Sequence, residues 1–598
     1  MIHPVVQKVT NAIKARSEAS RQAFERRIKQ QNGQPSSRST LSCGNLAHTV
    51  ATTCGSERER ILDLTKSNIG IISAYNDMVS AHFPYQYYPS IIKEELAKLG
   101  HTAQVAGCVP AMCDGITQGQ TGMDLSLFSR DVIAQATAIS LSHNAFDGTL
   151  LLGICDKIAP GQLMGALSHA HLPTAFVPAG PMATGLSNEE KVSARQKYTS
   201  GEIDKTEMLN VECRSYHSSG TCTFYGTANT NQLVFEAMGL MLPGSAFVSP
   251  HSSLREALTK EAARNISSQT KQSKQFKPLY QVLCAENLVN GVIALLASGG
   301  STNHTIHMVA VARAAGLILT WDDIDQLSTV TPLLVNIYPN SSADINDFQA
   351  AGGVPTLLQA LAQLNLLHQD ITTSFGDFQS QLMMPSLKDG QLVWQQNCGS
   401  KNIDVLAEAT TPFSTSGGIK VLKGNLGQAV IKISAIKAKH QFVQAPAVVF
   451  DSQHDVEAAY HRGELDKDCV VVVRFNGPAA NGMPELHKLM PILGNIQNKG
   501  FQVALVTDGR LSGASGKIPA AIHVSPEAKM GGAIGRVVNG DIITVDCVTG
   551  SLTTSQTYPQ ITIDGDEALD SEQGWGRELF QVARNNVCGA DQGATFLF

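Results

Sequence analysis

The chain has 598 residues, 43% hydrophobic and 16% charged, with a formal net charge of −6. That length exceeds a single hydrophobic core, so two or more domains are expected, and the negative balance excludes a general attraction to nucleic acid or anionic membrane. No apolar run approaches the roughly 18–20 residues that span a bilayer, and the 12 cysteines form no CxxC pair, which excludes a zinc ribbon and a secreted disulfide framework.

In chain order, residues 1–66 read as a helical arm interrupted by the polar run "QNGQPSSRST" (31–40). The arm lacks the apolar core and cleavage site of a signal peptide, so the expected compartment is the cytoplasm. A strand–helix rhythm then begins: strands at "IGIISAY" (69–75), "TAQVAG" (102–107), "GTLLLGI" (148–154) and "PTAFVPAG" (173–180). Between them fall helices at 87–100, 129–146 and 161–172, with a sharp turn expected at Pro160-Gly161. Apolar strands alternating with amphipathic helices indicate a parallel sheet covered on both faces. Residues 222–320 read as mainly helical. The turn-rich segment 384–418 separates an α/β domain (67–400) from a β-rich, barrel-like domain with flanking helices (401–598). That second domain carries "AVVF" (447–450), "CVVVVRF" (469–475), "FQVALVT" (501–507) and a hairpin around "CVTG" (547–550).

Three of the parallel strands run into polar clusters, "AYNDMVSAH", "CVPAMCDG" and "CDKIAPG". Ligands collect beyond the carboxyl ends of such strands, so these clusters are expected to converge. Cys155, Cys113 and Cys222 all fall on loops, and three thiolates from distant loops suit an iron–sulfur cluster with one open iron. Plain buried packing is the alternative for each. Asp114 and Asp156 follow cysteines and suit a divalent ion or a helix cap, and Glu485 in "NGMPELHKLMP" reads as the first turn of a helix. In "TDGRLSGASGKIP", glycines 509, 513 and 516 with Arg510 and Lys517 suit an oxyanion or phosphate. "ASGGSTNHT" opens a helix through Ser301 or Thr302, as a cap or an anion site. No G-x-G-x-x-G or Walker A pattern occurs.

Taken together, "CDKIAPG", "GTCTFYGTANTNQ", "GGSTNHT", "NGPAANGMPELHKLMP" and "TDGRLSGASGK" resemble, in order, the motifs of the dihydroxy-acid dehydratase and 6-phosphogluconate dehydratase family. "PAMCDGITQGQTGM" and "SYHSSGTCTFYG" are similar to its phosphogluconate branch. The resemblance implies a homodimeric iron–sulfur hydro-lyase acting on a phosphorylated sugar acid, with a 4Fe–4S cluster on Cys155 and Cys222. Dihydroxy-acid dehydratases carry their third cysteine where this chain has Ser80 and Ala81, so Cys113 takes that place, with Cys108 as alternative. Thr121 stands where those relatives have a glutamate, which leaves open Mg²⁺ or Mn²⁺ at Asp114, Asp156 and Glu485, and carbamylation of Lys157. The resemblance gives Ser512 the role of proton abstractor, with Lys157 and Glu485 beside it. His487, Lys488, Arg474, Arg510 and Lys517 are the cations considered for the phosphate, with Ser301 a further substrate contact. The rival readings are a dehydratase of an unphosphorylated acid and a non-catalytic iron–sulfur phosphosugar sensor.

Overall fold

Apolar runs too short for helices form the first sheet: β1 (Asn68–Ser73), β2 (Thr102–Cys108), β3 (Gly148–Leu152) and β4 (Thr174–Phe176), all parallel in the order β2-β1-β3-β4. The structure, a computed structural model, describes residues 1–32, 37–512, 516–558 and 577–598. Part of the polar run of the arm and Gly513 therefore lie outside the described residues. β1 and β3 are buried along their whole length because helices cover both faces. Ile69, Ile71 and Leu150 pack under Tyr88–Lys98 and Ser253–Ser267, while Ile72 and Leu151 face Phe128–Leu141 and Ile158–Leu167.

The helix Ile158–Leu167 corrects the turn expected at Pro160-Gly161. Pro160 occupies the first helical turn, where a missing N–H costs nothing. Gly161 serves close packing instead: a Cβ there would lie 2.5 Å from the Arg130 carbonyl oxygen, and one at Gly165 2.4 Å from that of Ala134. Two glycines four residues apart thus let Ile158–Leu167 lie directly on Phe128–Leu141.

The helices Thr227–Ala237, Ala285–Ala297 and His304–Ala314 are buried almost all round and fill the centre of the N-terminal part. The last starts later than the sequence suggested. Ser301 Oγ bonds Thr227 Oγ1 at 2.8 Å and accepts from the Asn303 N–H, so it fastens two segments rather than capping the helix. Two small hairpins follow, β5 (Thr372–Thr373) with β6 (Gly376–Asp377) and β7 (Met384–Lys388) with β8 (Gln391–Gln395).

The C-terminal part closes into an eight-stranded barrel of β9 (Ile419–Gly424), β10 (Gly427–Lys432), β11 (Phe442–Phe450), β12 (Cys469–Val473), β13 (Val503–Thr507), β14 (Ala520–Ser525), β15 (Ile542–Asp546) and β16 (Ser551–Thr554). β15 and β16 form the expected hairpin. β11 to β14 run parallel, and their crossovers put helices outside the barrel, so "CVVVV" is buried on both faces. Val470 and Val472 fill the interior, and Cys469, Val471 and Val473 pack outward against the main core. Among the described residues no helix is long and apolar enough to cross a membrane.

Lys432, at the end of β10, is 5% exposed, and its Nζ meets no acceptor among the described residues. Burial lowers its ammonium from the usual 10.5 to about 7. The folded value lies below the unfolded one, so the burial cost is fully felt below about pH 7 and fades as pH rises toward 10.5. Lys432→Met is expected to raise the melting temperature by on the order of a few degrees at pH 7. It should also flatten the rise in melting temperature between pH 7 and pH 10; an unchanged pH profile would contradict the assignment.

Candidate active site

The loop after β13 and the loop after β12 leave adjacent parallel strands, and they touch through a bridge between Glu485 and Arg510. Glu485 therefore sits in a strand-like crossing, and the helix assigned to it begins only at Leu489. Arg510 is fully buried and reaches across to the sheet. Its Nη1 donates to Asp156 at 2.9 Å and Glu485 at 3.3 Å, and its Nη2 to Asp114 at 2.7 Å and Ser126 at 3.2 Å. Its Nε donates to the Met483 carbonyl at 2.8 Å. All five N–H groups of the guanidinium are thereby used, which corrects the expectation that Arg510 contacts substrate phosphate.

Lys157 joins the cluster by pairing with Asp114 and lies 3.7 Å from Asp156. His307 Nε2 lies 3.0 Å from the other Asp156 oxygen. Three carboxylates thus face two permanent cations. Burial alone would raise Asp156, but Arg510, Lys157 and the His307 hydrogen bond together hold it well below the usual carboxylate range. Glu485 goes the other way: burial, then the charge of Asp114, pushes it up to about 7. Asp114, Asp156 and Glu485 each bring an oxygen within 4.8 Å of the others. A site with one carboxylate too many for its cations fits a divalent ion, which would replace the proton on Glu485.

The three thiols come from the ends of β2 and β3 and from the loop before Thr227–Ala237. Cys155 is pushed well above the usual thiol range by burial first and then by Cys113 and Cys222. Burial and then Cys113 raise Cys222 to about 12. The three sulfurs are therefore within electrostatic reach of one another, whereas Cys108 is exposed. Such a sulfur group holds thiols rather than thiolates unless positive charge is brought to it. That fits a cluster whose iron supplies the charge.

Side chains missed by the sequence reading hold these loops. Asn231 Nδ2 donates to the carbonyls of Ile154, Cys155 and Asp156 at 3.3, 3.1 and 3.1 Å. Asn229 Nδ2 donates to the Cys222 carbonyl at 2.7 Å. His82 Nε2 accepts from the N–H groups of Ile154 and Cys155, and burial keeps its ring neutral, lowering it to about 3. The available signal was an asparagine pair opening an otherwise apolar helix in "GTANTNQ". Ser512 is half-buried two residues beyond Arg510, on the same loop. Lys517 is exposed, with its Nζ 5.6 Å from the Tyr338 ring centre.

Both parts of the chain belong to one class of enzyme. Residues 66–381 match the Dihydroxy-acid/6-phosphogluconate dehydratase N-terminal family model, and residues 404–594 match its C-terminal counterpart, so the chain belongs to this family of lyases. Within the family it is 53% identical to phosphogluconate dehydratase of Escherichia coli (strain K12) over 600 residues, 99% of each chain. It is 50% identical to phosphogluconate dehydratase of Pseudomonas aeruginosa over 605 residues, 99% of this chain and 98% of the relative. To dihydroxy-acid dehydratase of Akkermansia muciniphila the identity is 32% over 494 residues, 80% of this chain and 85% of that one.

Proposed function

We propose that the chain dehydrates 6-phosphogluconate to 2-dehydro-3-deoxy-6-phosphogluconate and water, the committed step of the Entner–Doudoroff route. The observation that carries this reading is the end-to-end likeness to phosphogluconate dehydratases, against a partial and weaker likeness to a dihydroxy-acid dehydratase. The reaction removes a proton from C2, next to a carboxylate, and expels hydroxide from C3. Cys113, Cys155 and Cys222 would hold a 4Fe–4S cluster, which when bound supplies Lewis-acid assistance to the departing hydroxyl. Asp114, Asp156 and Glu485 would hold Mg²⁺ or Mn²⁺ facing the substrate carboxylate. Ser512 takes the C2 proton on its Oγ, and Lys157 is the residue assigned to supply the positive charge that favours the alkoxide it needs. Arg510 holds Asp114 and Asp156 in place and keeps Asp156 ionised. The C3 hydroxyl leaves with a proton as water, and the enol tautomerises to the 2-keto product. The reading further takes the enzyme to be a cytoplasmic homodimer; its twelve free thiols suit a reducing compartment.

Ser512→Ala is expected to lower kcat on 6-phosphogluconate by about 10²–10⁴-fold while leaving KM and iron content near wild type. Comparing turnover of 6-phosphogluconate, gluconate and dihydroxyisovalerate by the anaerobic wild-type enzyme tests the substrate. Preference for either unphosphorylated acid would reject the reading.

A further inference from the structure

The cations considered from sequence for the phosphate are mostly engaged elsewhere. Arg510 spends every N–H on protein acceptors. Arg474 is held by Asp451 and by the carbonyls of Gly535 and Val537, and Lys488 is paired with Glu457 at 2.6 Å. His487 is kept neutral by burial, its ring lowered to about 4. Only Lys517 keeps an ammonium with no anionic partner among the described residues, and its place beside Tyr338 indicates where to look.

Around Tyr338 the sequence reading missed two further cations. The helix Asn188–Ser200, started by a Ser187–Glu190 capping box, carries Lys191 and Arg195 one turn apart on one face. Lys191 is 5% exposed. Its Nζ lies 6.0 Å from the Tyr216 ring centre and has no hydrogen-bond or ion-pair acceptor among the described residues. Arg195 donates through Nε and Nη2 to Glu212 at 2.8 and 3.1 Å, and through Nη2 to Tyr216 Oη at 3.3 Å. Its Nη1 keeps both N–H groups unused among the described residues. Arg195 acts electrostatically on the Tyr338 hydroxyl, and both Lys191 and Arg195 act on the Cys222 thiol. The Tyr225 N–H, three residues beyond Cys222, donates to the Tyr338 carbonyl at 3.3 Å, so the Tyr338–Lys517 pair adjoins the loop that carries Cys222, as do Lys191 and Arg195 through Tyr216, six residues before it. Three cations face Glu212 and, through Lys191, Asp344, which leaves net positive charge for a phosphate monoester, itself carrying about −1.5 to −2 charges at pH 7.

We propose that Lys191 and Arg195, with Lys517 closing from the barrel side, bind the phosphate of the substrate and so select the phosphorylated sugar acid over its unphosphorylated counterpart. A substrate reacting at C2 and C3 carries its phosphate on C6, an extended arm away from the reacting carbons, and these cations flank the loop that carries Cys222. The assignment rests on the dehydratase reading above. An isolated lysine amine in a dry pocket costs stability, and a returning phosphate dianion offsets that cost with charge-assisted hydrogen bonds.

The test uses Lys191→Met, which keeps the packing on Tyr216, together with Arg195→Met and Lys517→Ala, the last at an exposed position where folding is not at stake. For the first two, KM for 6-phosphogluconate is expected to rise about ten- to hundredfold. Competitive inhibition by inorganic phosphate should weaken in parallel, while turnover of gluconate and iron per chain stay within about twofold of wild type. Lys517→Ala should show the same pattern at smaller size, and Lys191→Arg should restore most of the affinity. Equal losses on gluconate and 6-phosphogluconate, or a loss of iron, would assign these residues to packing or to the sulfur site and overturn the proposal. Unchanged KM and unchanged phosphate inhibition in Lys191→Met and Arg195→Met would also overturn it, leaving the dehydratase reading intact. Failure of that reading shows separately, as a wild-type enzyme that prefers gluconate.

Discussion

Replacing Arg510 with methionine is expected to abolish dehydration and to cost about 3–5 kcal/mol of stability. The guanidinium is fully buried and donates to Asp114, Asp156 and Glu485 together. Removing it leaves three desolvated carboxylates with Lys157 as their one permanent cation and His307 on Asp156, and the cost of an orphaned buried charge exceeds the value of the pair it came from. The pH dependence gives the loss its signature. Without the guanidinium the carboxyls take up protons more readily in the folded state than in the unfolded one. The variant should therefore regain melting temperature more steeply than the wild type as pH falls from 8 toward 5, because in the wild type Glu485 takes up a proton in that window while Asp156 is held ionised well below the usual range. Arg510→Lys should recover part of the stability and none of the activity, because one ammonium cannot reach three carboxylates in a planar fork. An Arg510→Met enzyme that turns over substrate would refute the arrangement.

The second large effect concerns sulfur. Cys155→Ala, Cys222→Ala and Cys113→Ala are each expected to reduce iron per chain to a small fraction of wild type and activity to background. Cys108→Ala and Cys469→Ala should leave both unchanged. Cys469 is buried at the start of β12 and packs in the main core, and Cys108 is exposed. Iron and sulfide assays with the visible absorption of anaerobic preparations read this directly. Retention of full iron content by Cys113→Ala, with its loss in Cys108→Ala, would move the third thiol to Cys108.

The strands were legible because their signals are local. "GTLLL" and "CVVVV" can be buried only as strands in the interior of a sheet, and the hairpin around "CVTG" is fixed by its turn. The errors arose where distant packing overrides a local signal. Pro160-Gly161 carries a turn signal, yet the contact of Gly161 with Phe128–Leu141 keeps it helical. Glu485 stands before a helix and looks like part of it, until Arg510 from the neighbouring strand end pairs with its backbone. Arg510 itself, amid glycines, had the look of an exposed anion arm; nothing in "TDGRLSG" reveals the carboxylates of residues nearly four hundred positions earlier. Charge is visible in sequence, but the partner that satisfies it is not. The same limit hid His307, whose contact with Asp156 spans 151 positions, and the free ammonium of Lys191.

The guanidinium reaching from the barrel into the sheet's carboxylates also constrains how such enzymes can be recombined. A graft that exchanged the barrel half for that of a paralogue would ask Arg510 and Glu485 to register with Asp114 and Asp156 on a foreign scaffold. A misfit of a single ångström there strands several bare charges in a dry seam. Crossovers placed between the two halves are thus penalised at the seam itself, whereas exchanges of the N-terminal arm leave it untouched, so the halves are expected to be inherited as one piece.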